Sequence, residues 1–155
     1  MQNRGSGQFE PTSTFDYFRK AIQIIKLHQP VMAEVAQDQN ALRFGILVTA
    51  AGGALAFSPG KNLAAPLVGA LFSILALFFF AALVHLFCGY AKGKQEFMGF
   101  VRIMAMAGIL DWAVIVPYAD GIVTVWSVVV SIAAAGEVYH LGQARAVFTV
   151  IISAM

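Results

Sequence analysis

The sequence predicts an all-α, polytopic transmembrane helical bundle, and three observations carry that fold class. From Leu63 to Ala91 the chain runs 29 residues without Asp, Glu, Lys or Arg, closed by Lys61 on one side and by Lys92 and Lys94 on the other. A helix needs roughly 20 apolar residues, at ~1.5 Å each, to cross a ~30 Å hydrocarbon core, so this stretch crosses with length to spare for tilt. Hydrophobic residues make up 59% of the 155-residue chain and charged ones only 12%, about half the share usual in soluble domains. The third observation is the placement of the basic residues, which follows membrane topology. Lipid offers backbone groups no hydrogen-bond partner, so spanning segments of this kind must be helical.

Taken in order, Met1 to Pro11 is rich in Gln, Gly, Ser and Asn and predicts a disordered tail. The polar first forty residues predict no cleavable signal peptide. Residues 12–40 form a cytoplasmic amphipathic region: Ser13 and Thr14 offer N-cap oxygens, Asp16 suits a first turn, and a helix is expected to about His28. Phe15, Phe18, Ile22 and Ile25 step by three or four along it, while Arg19, Lys20 and Lys26 supply charge for anionic headgroups. The helix is expected either on the membrane surface or against the cytoplasmic ends of the bundle. Pro30 ends it and opens a short second helix from Val31 to Asp38.

The membrane domain occupies 41–155, with spans at about 41–59, 63–91, 97–118, 121–140 and 144–155. The Pro59-Gly60 turn closes the first and Pro117 the third. The last segment has 12 residues, only ~18 Å of helix, so it is a short fifth element. With the amino terminus inside, nine of the ten basic residues fall on the cytoplasmic side and only Lys61 falls outside. Tyr90, Tyr118 and Tyr139 sit near span ends and fit an interfacial aromatic belt.

Gly45, Thr49 and Gly53 in the first span, and Ser127, Ser131 and Ala135 in the fourth, are spaced for close helix approach and predict two packing seams. Ionisable groups at membrane depth are costly and mark functional candidates. His85, Asp111, Glu137 and His140 form that set. Asp111 lies 9 residues past Arg102, where a carboxylate costs ~2.5–3.5 kcal/mol on insertion scales. His85 and Glu137 fall in the same half of their spans and are candidates to pair. The set reads either as interhelical hydrogen bonds that fix packing or as a proton or cation path.

The segments Lys26 to Val35 (KLHQPVMAEV), Leu83 to Gly108 (LVHLFCGYAKGKQEFMGFVRIMAMAG) and Gly136 to Ala146 (GEVYHLGQARA), with Pro117 and Trp126 between, resemble the prokaryotic branch of the Yip domain family. That family is named for Ypt and Rab GTPase-interacting proteins. The resemblance covers residues 15–155 and implies a five-helix bundle in a bacterial or archaeal cytoplasmic membrane, with a cytoplasmic amino terminus and the carboxyl end on the far face. The Asp-Leu-x-Gly-Pro motif of the eukaryotic branch is absent, so GTPase binding does not transfer with it.

The sequence therefore predicts a non-enzymatic membrane scaffold or adaptor, with Arg19, Lys20, Lys26, Lys92 and Lys94 as contacts to the membrane surface or a partner. The rival is a small proton- or cation-coupled transporter or channel using Asp111, His85 and Glu137. Expected partners are the bilayer and a membrane or cytoplasmic protein, or a second copy. A net charge of +2 gives no reason to expect nucleic acid. There is no Walker loop, G-x-S-x-G, C-x-x-C or H-E-x-x-H, so no catalytic residue, cofactor or metal site is expected. The one cysteine, Cys88, reads as a small packing residue.

Overall fold

The structure, a computed structural model, describes residues 13–58, 64–89, 94–116 and 118–154. The tail 1–11, the Pro59-Gly60 turn, Lys61, Tyr90, Lys92 and Pro117 lie outside the described residues. Seven α-helices and no strand are found among those described: α1 Thr14–Ile25, α2 Gln29–Gln37, α3 Gln39–Ala56, α4 Ala64–Gly89, α5 Lys94–Ala107, α6 Asp120–Tyr139 and α7 Gln143–Ala154.

Helix α1 begins with a reciprocal cap. The Asp16 backbone N–H donates to Ser13 Oγ (3.3 Å), and the Ser13 N–H donates to Asp16 Oδ2 (3.2 Å). Leu27 ends the helix in the left-handed region (φ 60°), and Pro30 sits in the first turn of α2, where its missing N–H costs nothing. Asp38 then caps α3 by accepting from the Asn40 N–H at 2.9 Å.

Two helices, Ala64–Cys88 in α4 and Gly121–Tyr139 in α6, are long and apolar enough to cross a membrane. The stretch expected as one span over 97–118 instead changes pitch. Helix α5 ends at Ala107, and Gly108–Ile115 continues as a 3-10 helix. Helix α3 packs closely where the pitch changes: a Cβ on Gly108 would lie 2.5 Å from Thr49 Oγ1.

The core joins all seven helices around fully buried Tyr139, Phe100, Ile24, Met32, Ile103 and Met106. Tyr139 is thus no belt residue, whereas Tyr118 stands 97% exposed. The α1–α2 hairpin is part of this packing. Helix α2 lies on α5 and α6, where Arg102 donates to the Ala36 carbonyl. Helix α1 reaches further along: Phe18 meets the rings of Phe44 and Trp112 edge-on, and Trp126 Nε1 donates to the Ile25 carbonyl at 3.0 Å.

The face α1 buries is Tyr17, Ala21 and Ile24, rotated from the expected one. The Tyr17 hydroxyl donates to Asp38 (2.9 Å) and its ring stacks on Phe44, which turns Phe15 and Ile22 outward. Phe15, Arg19, Ile22 and Lys26 are all exposed, and at spacings of four, three and four they form one outer ridge.

Candidate functional site

The four ionisable groups singled out at membrane depth do not form one cluster. His85 of α4 meets α6 through Tyr139, with Nδ1 3.1 Å from the hydroxyl, and meets the Phe97 ring edge-on. Among the described residues no ion pair joins His85 to Glu137. Position along α4 fixes the depth of His85, but its neighbour on α6 is Tyr139 rather than Glu137.

Asp111 lies elsewhere, exposed at the edge of a cavity of about 270 Å³ between α3, α4, α5 and α6, with Thr49, Ser73 and Ser127 as its other polar walls. Gly52 makes room for it: a Cβ there would lie 2.8 Å from Asp111 Cβ. The Thr49 hydroxyl donates to the Ala105 carbonyl at 3.2 Å, which leaves it only acceptor capacity toward the cavity.

Glu137 and His140 line a third place, a cleft of about 330 Å³ between α2, α5 and α6, with Gln37, Gly99 and Glu96. His140 ends α6 in the left-handed region (φ 51°) and is exposed, so it belongs to a helix end rather than to a span. Glu96 was not singled out from the sequence. Its signal was position alone, since an acid in the first turn of α5 suits the helix dipole. Its Oε2 is buried without a partner among the described residues, as is Arg102 Nε. The sequence marks Arg102 only as a cytoplasmic charge; in the fold it pins α2 to α5 through Ala36.

The small-residue positions lie at helix contacts, with one rearrangement. A Cβ on Gly45 would lie 2.9 Å from the Ala105 backbone carbon, so Gly45 and Thr49 face α5, whereas Gly53 faces Gly69 and Ser73 of α4. Ser131 is buried; its hydroxyl donates to the Ser127 carbonyl (2.7 Å) and lies 3.6 Å from Met104 sulfur. Ala135 is fully buried beside them.

Of the basic residues expected to contact the membrane surface or a partner, Lys20 is instead turned into the α1–α2 hairpin. Its ammonium is held 2.9 Å from Glu34 and 5.3 Å from the Tyr17 ring centre, and the side chain is only 16% exposed, so it serves the hairpin. Arg19 keeps an exposed 3.3 Å pair with Asp16, an interaction worth little, and Lys26 is exposed. Lys94 opens α5. Groups of three or more residues able to hold a metal ion are absent among the described residues.

Asp16 has an electrostatic consequence that can be measured. The Ser13 hydroxyl and backbone N–H donate to its carboxylate, with Arg19 adding attraction, and hold its carboxyl below the ordinary 3.8. A depressed carboxyl stabilises the folded form above the ordinary value, and that contribution is lost as pH falls through the lowered one. Carboxyl NMR is expected to give Asp16 a midpoint below 3.8, and Ser13→Ala is expected to raise it.

Comparison with family models, with curated proteins and with solved structures returns no match. Local geometry is therefore the basis for a functional reading.

Proposed function

We propose that this chain is a non-enzymatic integral membrane protein of Yip type, a scaffold or adaptor that recruits a partner at its cytoplasmic face. The observation that carries membrane residence is the outer surface of α4. Only 17% of its apolar stretch is buried, leaving Leu67, Leu71, Phe72, Leu75 and Phe79 facing outward. A water-soluble monomer rarely keeps a contiguous apolar surface of that extent.

Helix lengths support five segments. The 18 residues of α3 rise about 27 Å. The 14 residues of α5 and the 8 that follow rise about 37 Å together at their two pitches. Helix α7, with 12 residues, reaches about 18 Å and is the short fifth element. The outer ridge of α1 suits a headgroup surface or an acidic partner, since it alternates Phe15 and Ile22 with Arg19 and Lys26.

The scaffold reading is favoured over transport because Asp111, His85 and Glu137 occupy separate places, and a relay needs neighbouring groups. The protein is expected to stay with membranes through an alkaline carbonate wash; recovery in the wash would overturn membrane residence. In proteoliposomes, Asp111→Asn is expected to leave proton flux at the protein-free level shown by the parent chain. Flux present in the parent and abolished by the substitution would establish the transporter instead. A pull-down from gently solubilised membranes is expected to lose its partner when Arg19 and Lys26 are changed to Glu.

A further inference from the structure

We propose that an open groove between α4 and α7 binds the headgroup and first methylenes of an anionic phospholipid, with Arg145 as the counter-ion. The groove, about 550 Å³, is walled by Phe87, Cys88, Leu141 and Phe148, with Arg145 as its one charged lining residue. That volume falls within the range of small-molecule sites, and the lining follows their usual pattern of apolar walls with few polar groups. The inference rests on the membrane reading above and adds a ligand class to it.

Charge selects the occupant. Arg145 is exposed and no carboxylate pairs with it among the described residues; the first turn of α7 carries no acid. The arginine therefore stands at the positive end of its own helix, an arrangement that an anion from outside relieves. A guanidinium matches a phosphodiester with two parallel hydrogen bonds.

Depth selects a lipid over a free anion. Cys88 closes the apolar stretch of α4, so the groove starts where hydrocarbon gives way to headgroups. Phe148 lies three residues past Arg145 on the same face of α7, and Phe148 and Phe87 are 69% and 50% exposed. A phosphate at Arg145 thus places its acyl chain along two aromatic walls that a free anion would leave bare.

Cys88 is the only cysteine and lines the groove, so its alkylation reports occupancy. The full chain is placed in nanodiscs of phosphatidylcholine alone or with phosphatidylglycerol added, and the rate of reaction with N-ethylmaleimide is measured. Phosphatidylglycerol is expected to slow the reaction by up to about fivefold, the enrichment that one cation's attraction for an anionic leaflet corresponds to. Arg145→Gln is expected to abolish the slowing, and Arg145→Lys to retain part of it, both with unchanged helicity.

Equal rates in the two kinds of disc overturn the proposal, as does slowing that persists in Arg145→Gln, since a general surface-charge effect would survive that change. Inorganic phosphate giving the same protection in phosphatidylcholine discs would reassign the site to a free anion. A chain that stays dispersed without detergent or lipid overturns the membrane reading itself; an embedded chain whose Cys88 ignores lipid charge overturns only the groove.

Discussion

Gly53→Ala is expected to lower the thermal midpoint of the detergent-solubilised protein, and Gly53→Leu to abolish its monodisperse folded form. A Cβ at position 53 collides with Ser73 Oγ and with the carbonyl oxygen of Gly69, and one on Gly69 collides in turn with the Gly53 carbonyl. Ser73 can change rotamer, but a helix carbonyl cannot move without its helix, so α3 and α4 must separate. Overpacking of a well-filled site costs ~1–3 kcal/mol, and here the loss spreads along the contact because helices in lipid associate through close packing rather than hydrophobic drive. Gly121, whose added Cβ meets nothing within 4 Å, is the control. Gly121→Ala is expected to leave the midpoint unchanged or slightly higher, given the ~1 kcal/mol advantage of alanine in a helix. Circular dichroism melting of the three variants checks this, and a wild-type midpoint for Gly53→Ala would refute the contact.

The same pair of helices marks where sequence reading succeeds and where it stops. Spacing identified Gly45, Thr49 and Gly53 as interface residues because small side chains at helical intervals serve close approach in lipid. Spacing gave no partner: position 53 lies eight residues past 45, far enough round the helix to meet α4 while 45 meets α5. The break between α1 and α2 was legible because Pro30 acts locally through its own ring and missing N–H. The 3-10 segment after Ala107 was not: it begins where Gly108 packs against Thr49, a contact between residues 59 apart in sequence that no local pattern announces. For the polar set, position along a span told depth and nothing of direction. His85 and Glu137 do lie in corresponding halves of α4 and α6, yet His85 points to Tyr139 while Glu137 lines the cleft on the α2 side.

Tyr139 shows the cost of missing direction most clearly, and its replacement is expected to have the largest single-residue effect in the core. A tyrosine near the end of an apolar run reads as a belt residue, but here the ring is fully buried against Phe100 at 6.0 Å and His85 at 5.7 Å between ring centres. Removing a buried aromatic leaves a cavity as well as forfeiting its transfer energy, so Tyr139→Ala is expected to cost ~3–5 kcal/mol. Tyr139→Phe keeps the ring and loses only the hydroxyl next to His85 Nδ1, which points to a cost near ~1 kcal/mol. A double-mutant cycle with His85→Phe separates the hydrogen bond from the packing. Interhelical polar contacts of this kind average ~0.6 kcal/mol in lipid, so a coupling of that order between positions 85 and 139 is expected. A coupling of zero, with Tyr139→Ala still strongly destabilising, would show that the imidazole adds nothing to Tyr139's contribution and is a packing neighbour alone.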